Sequence, residues 1–158
     1  MVLLSCNVED TNKIGGILGQ HASPGDIILL YGDLGSGKTT ISKGIAKGAC
    51  VEATVTSPTF ILMNQYIGKC KIYHFDIYRL SDPDELYDLG FEEYIYGDGI
   101  ALVEWPEKMG DLLPQEYLKV TLEKVDNDKY KRTVRISPIG KKYDRYKEAL
   151  LRYESTCP

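Results

Sequence analysis

The sequence predicts an α/β fold, a three-layer α/β/α sandwich around a mixed, largely parallel sheet. Three observations predict it. The apolar run Asp26–Tyr31 enters a glycine-rich turn and leaves it as a helix. Ile100–Val103 is continuously apolar, as a strand covered on both faces must be. Two pairs of β-rich segments, Phe60–Tyr66 with Lys69–Tyr78 and Tyr117–Lys124 with Tyr130–Ser137, read as hairpins that add antiparallel strands to a parallel centre.

In chain order, Leu3–Val8 reads as a short edge strand. Thr11–His21 follows as a helix with Ile14, Ile17 and Leu18 on one face, capped from the polar stretch Glu9–Asn12. Ser23-Pro24-Gly25-Asp26 is a turn. After the glycine-rich loop a helix continues through Ile41–Lys47 and ends near Gly48, where glycine serves as a C-cap. Pro58 keeps Ser57 out of the helical region, so Thr56–Phe60 is a stiff connection into the first hairpin. Ser81-Asp82-Pro83-Asp84-Glu85 carries the marks of a helix start: a cap, proline in the first turn, and acids at the positive end of the dipole. Gly90 interrupts this helix and Phe91–Tyr96 forms another. The apolar strand at 100–103 ends on Glu104-Trp105-Pro106, and Glu107–Leu113 is a brief helical or turn segment. The second hairpin turns at Asp126-Asn127-Asp128, and Lys141–Tyr153 closes the chain as a helix. All 158 residues read as one domain, without repeats or a low-complexity linker.

Gly32-Asp33-Leu34-Gly35-Ser36-Gly37-Lys38-Thr39-Thr40 satisfies G-x-x-x-x-G-K-[ST] between a strand and a helix, the context that a phosphate-binding loop requires. Backbone N–H groups and a helix N-terminus wrap the phosphates. The expected nucleotide contacts are Asp33, Leu34, Gly35, Ser36, Gly37, Lys38, Thr39 and Thr40. Lys38 reaches the β- and γ-phosphates and the Thr39 hydroxyl holds magnesium. A dinucleotide-binding fold fits less well, because G-x-G-x-x-G is missing.

Chemistry at the terminal phosphate also needs acids near the metal, and ligands of such sheets lie beyond the C-terminal strand ends. Glu104 and Asp76 both end strands. Glu104 is the expected metal-side acid, able to orient the attacking water; the competing reading is a solvated strand end. Asp76 is expected on or beside the metal, against a surface acid paired with Arg79. Thr59 sits where a hydroxyl can sense the γ-phosphate. His74 reads as a packed or paired side chain, and Trp105 as a lid or packing residue.

Composition narrows the function classes. The net charge of −4 hides twelve acids against two basic residues between Asp76 and Glu116, and eleven basic residues against five acids between Lys119 and Arg152. The acidic middle argues against wide nucleic-acid contact there, while the basic C-terminal third can face RNA or an acidic partner. No apolar run is long enough to span a membrane and no secretory signal opens the chain, so a cytoplasmic location is expected. Cysteines 6, 50, 70 and 157 form no CxxC pair and are expected to be idle thiols.

Several segments together carry a resemblance. The loop at 32–40, Ser57-Pro58-Thr59-Phe60, His74-Phe75-Asp76-Ile77-Tyr78-Arg79-Leu80, Glu85–Glu92 and Val103-Glu104-Trp105-Pro106-Glu107 resemble the bacterial ATPase family that assists tRNA threonylcarbamoyladenosine biosynthesis, the E component of that pathway. The resemblance covers essentially the whole chain. It implies a P-loop ATPase that uses ATP and Mg2+, with Lys38, Thr39, Thr59, Asp76 and Glu104 as catalytic or metal groups and Trp105 beside the nucleotide. It implies as partners two related subunits of a threonylcarbamoyl transferase complex, with any tRNA contact indirect and no membrane involved. Ser36 replaces the alanine usual in the family. Two other classes remain open at this stage: a small-molecule or nucleoside kinase, which would want an arginine-rich lid that the sequence lacks, and a nucleotide-sensing adaptor without turnover.

Overall fold

The computed structural model describes residues 1–155 and 157. Among these, the strands β1 (Val2–Ser5), β2 (Ile27–Tyr31), β3 (Met63–Ile67), β4 (Lys71–Asp76), β5 (Ile100–Glu104), β6 (Tyr117–Lys124) and β7 (Arg132–Ile139) form one sheet in the order β1-β7-β6-β2-β5-β4-β3. The four inner strands β6, β2, β5 and β4 run parallel, and β7, β1 and β3 join antiparallel at the flanks. The mixed sheet expected from the hairpins is therefore present. Its parallel centre explains why residues 27–30 of β2 and 100–103 of β5 are continuously apolar, since both faces are covered.

One face is covered by α1 (Val8–His21), α2 (Lys38–Gly48) and α5 (Arg145–Leu150), which bury Ile14, Leu18, Ile41, Ile45 and Tyr146 against Ile28, Leu30 and Val120. The other is covered by α3 (Asp84–Asp88), α4 (Phe91–Ile95) and the 3-10 turns that follow Trp105, packing Leu86, Phe91 and Met109 on Phe75 and Val103. Helices α1 and α2 approach backbone to backbone. A Cβ on Gly19 would stand 1.9 Å from the Ile45 carbonyl oxygen, so only glycine permits this packing.

Several boundaries differ from expectation. Helix α1 begins at Val8 because the Asn7 side chain accepts from the Asp10 amide and caps it three residues before Thr11. The strand expected from Phe60 begins only at Met63. Residues 58–62 form a turn in which the Leu62 amide reaches the Pro58 carbonyl and Leu62 adopts φ 66°. The closing helix is split, with a 3-10 turn at 141–143 before the short α5. The cysteine expectation fails for one pair: Cys6 and Cys157, 151 residues apart, are joined by a disulfide. Fold topology brings the end of β1 and the segment after α5 together, and no spacing rule could have shown it. Cys50 and Cys70 remain thiols.

Candidate nucleotide site

The loop at 32–37 connects β2 to α2 beyond the C-terminal edge of the sheet. Gly37 stands at the N-cap with φ 111°, a conformation that L side chains rarely adopt, and no side chain caps the helix. The first amides of an 11-residue helix are thus open to an anion at its positive end. Lys38 Nζ donates to the Gly32 and Asp33 carbonyls at 2.5 and 2.9 Å and lies 3.8 Å from the centre of the Trp105 ring. Burial lowers its pKa, opposed by the nearby carboxylates Glu104, Glu107, Asp76 and Asp33.

Parallel register explains the acids. Asp76 of β4 pairs with Glu104 of β5, which pairs in turn with Leu30 of β2 two residues before the loop. Glu104 is only 2% exposed, which excludes the solvated strand end. Its Oε1 accepts from Ser42 Oγ at 3.0 Å and faces His74 Nε2 at 2.8 Å; its Oε2 accepts from the Thr39 hydroxyl at 3.3 Å. A carboxylate can only accept, so Nε2 carries the proton. Asp76 is also buried. Its Oδ2 accepts from Ser57 and Thr59 at 2.6 and 2.9 Å, and its Oδ1 from the Tyr78 amide at 3.1 Å. Arg79 does not pair with it as the surface reading had it, and lies over the Phe60 ring instead.

Lys38, Thr39, Ser57, Thr59, Asp76, Arg79 and Glu104 line one cleft of about 450 Å³ with Leu34, Gly35, Gly37, Thr40, Tyr78, Trp105 and Arg132. Trp105 follows β5 with φ 65°, which turns its ring back across Lys38, and Tyr78 packs on it at 4.7 Å. Two loop residues point elsewhere. Asp33 and Ser36 line a recess on the other side of the loop, and the Ser36 amide is spent on the Asp33 carbonyl. Thr39, Asp76 and Glu104 offer an all-oxygen donor set, the kind that hard divalent cations take. Sequence reasoning missed Ser42, Ser57 and Arg132 as parts of the site. Ser42 carried a usable signal, one helical turn after Lys38 on the same face.

The chain is similar to known proteins along most of its length. The family model described as threonylcarbamoyl adenosine biosynthesis protein TsaE matches residues 5–134. The chain is 39% identical over 150 residues to the tRNA threonylcarbamoyladenosine biosynthesis protein TsaE of Bacillus subtilis, covering 94% of this chain and 92% of that one. To the protein of the same description from Rickettsia felis it is 44% identical over 130 residues, covering 81% and 75%. A crystal structure of Bacillus subtilis YdiB superposes with a TM-score of 0.81 at 34% identity, covering 96% of this chain and 94% of that one.

Proposed function

The chain belongs to the TsaE family of threonylcarbamoyl adenosine biosynthesis proteins, and on that premise we propose that it acts as one ATPase domain, binding ATP with magnesium and hydrolysing it to support tRNA threonylcarbamoyladenosine formation. The observation that carries this reading is the meeting of Thr39, Asp76 and Glu104 at the lysine end of the phosphate loop, in a single cleft. In this reading the loop amides and Lys38 grip the phosphates. Thr39, with Glu104 or Asp76, would hold magnesium, which when bound would supply positive charge to offset that of the phosphates. Glu104, fixed by Ser42 and His74, orients a water for in-line attack on the γ-phosphorus as the bond to the bridging oxygen breaks. Trp105 closes over the lysine and the phosphates and limits bulk water.

Thr59 links the site to the surface. It bonds Asp76 through its side chain, while the next two residues, Phe60 and Ile61, are 82% and 66% exposed. A change at the γ-phosphate that reaches Asp76 and Thr59 therefore shifts an apolar patch, the kind of surface a protein partner covers. Two related subunits of the threonylcarbamoyl transferase complex are the partners in this reading. The test is phosphate release with those subunits present. Lys38→Ala should abolish it, and Glu104→Ala should lower hydrolysis more than nucleotide affinity. Unchanged release in Lys38→Ala would sink the assignment.

A further inference from the structure

Two cations hold carbonyls of the phosphate loop, and they come from the flank opposite the acids. In the sheet order, β5 and β4 lie on one side of β2 and bring Glu104 and Asp76, while β6 and β7 lie on the other. At the far end of that second hairpin, Arg132 Nε donates to the Ser36 carbonyl at 3.0 Å and Nη2 approaches the Gly35 carbonyl at 3.4 Å. Its Nη1 is tied to the carbonyls of Lys129 and Lys131 at 2.9 and 2.7 Å, which fixes the guanidinium plane. Lys124 Nζ donates to the Leu34 carbonyl at 3.0 Å. Among the described residues neither cation has a carboxylate in ion-pair range, so their charge is directed at the loop.

The consequence follows from peptide planarity. Each peptide unit points its C=O and its N–H in opposite directions, so holding one end aims the other. Lys124 on the Leu34 carbonyl aims the Gly35 amide, and Arg132 on the Ser36 carbonyl aims the Gly37 amide. Gly35 and Gly37 have φ of 74° and 111°, and glycine's freedom makes these the units most easily flipped. A flip would turn a carbonyl toward the phosphates, replacing attraction with repulsion.

We propose that Arg132, assisted by Lys124, is a positioning residue that braces the Leu34 and Ser36 carbonyls of the phosphate loop and so keeps the Gly35 and Gly37 amides aimed into the cleft. The proposal rests on the reading of this loop as a polyphosphate site. Calorimetry on the full chain would compare wild type, Arg132→Met and Arg132→Lys with two probes, magnesium-ADP and magnesium-tripolyphosphate, the second lacking any nucleoside. Arg132→Met should weaken both by the same factor, about ten- to a hundredfold, as expected for losing charge-assisted hydrogen bonds. Arg132→Lys, which keeps a charge and one bond, should recover part of the loss. Unchanged affinities would overturn the brace, and so would a loss confined to ADP, which would mean contact with the nucleoside. If Arg132→Met fails to melt cooperatively, amide exchange in Arg132→Lys decides: faster exchange at Gly35 and Gly37 is expected, and wild-type rates refute the brace. Failure of the wild type to bind either probe would defeat the polyphosphate reading instead, leaving amide exchange to judge the brace alone.

Discussion

Asp26 and Glu104 are both buried carboxylates at the ends of central strands, on opposite edges of the sheet, and their surroundings differ in kind. Asp26, just before β2, is bound by the Arg145 guanidinium, by the Tyr146 hydroxyl at 2.7 Å and by the Ser23 amide at 2.8 Å. Its charge is answered within the fold and joins α5 to the sheet. Glu104 receives two hydroxyls and an imidazole, and among the described residues no arginine pairs with it. Lys38, a cation that feels its charge, is held over the loop carbonyls and Trp105. A buried carboxylate paired with an arginine within the fold is a joint; one held by hydroxyls and an imidazole beside an open cleft is poised for a ligand.

The contrast breaks in a definite order. Glu104→Gln keeps the shape but removes the charge. Phosphate release in a single turnover should fall about 100- to 1,000-fold, the scale of losing a preorganised polar group at a transition state. Thermal melting should not drop. A melting loss with retained turnover would reverse the roles of the two acids. Asp26→Asn should do the opposite, costing about 2–3 kcal/mol in urea unfolding and leaving nucleotide affinity unchanged. The figure is below that of a fully buried pair because the Arg145 side chain is 34% exposed.

Smaller changes sharpen the contrast. Thr59→Ala removes one of two hydroxyls on Asp76 and should slow hydrolysis about tenfold. An unaffected rate would leave Thr59 a turn residue. Tyr146→Phe should cost about 1 kcal/mol at neutral pH. Burial first, then the hydrogen bond to Asp26, raises the Tyr146 pKa. Its contribution is therefore complete below the unfolded-state value of about 10 and is lost as pH rises above that. The wild type should lose stability on that alkaline limb more steeply than Tyr146→Phe, as read by urea unfolding against pH.

What the sequence disclosed was local, and what it concealed depended on register. The loop from Gly32 to Thr40 declares itself, because strand, glycines, lysine and helix are contiguous. Glu104 and Asp76 were legible as strand ends, yet their adjacency is a property of the β4–β5 pairing. The bond between His74 and Glu104 joins residues 30 apart and has no sequence signature. Arg132 reads as an ordinary hairpin cation until β6 and β7 are placed beside the loop. The Pro58–Leu62 turn overrode the β-propensity of Phe60 and Ile61, leaving both exposed next to Thr59.

Everything turns on whether the loop that ends in Lys38 grips a triphosphate. A calorimetric titration of the wild-type chain with magnesium-ATP asks this directly. The predicted result is a saturable one-to-one heat that disappears in Lys38→Ala while the variant still melts cooperatively. The same heat in both proteins, or none in the wild type, would contradict it.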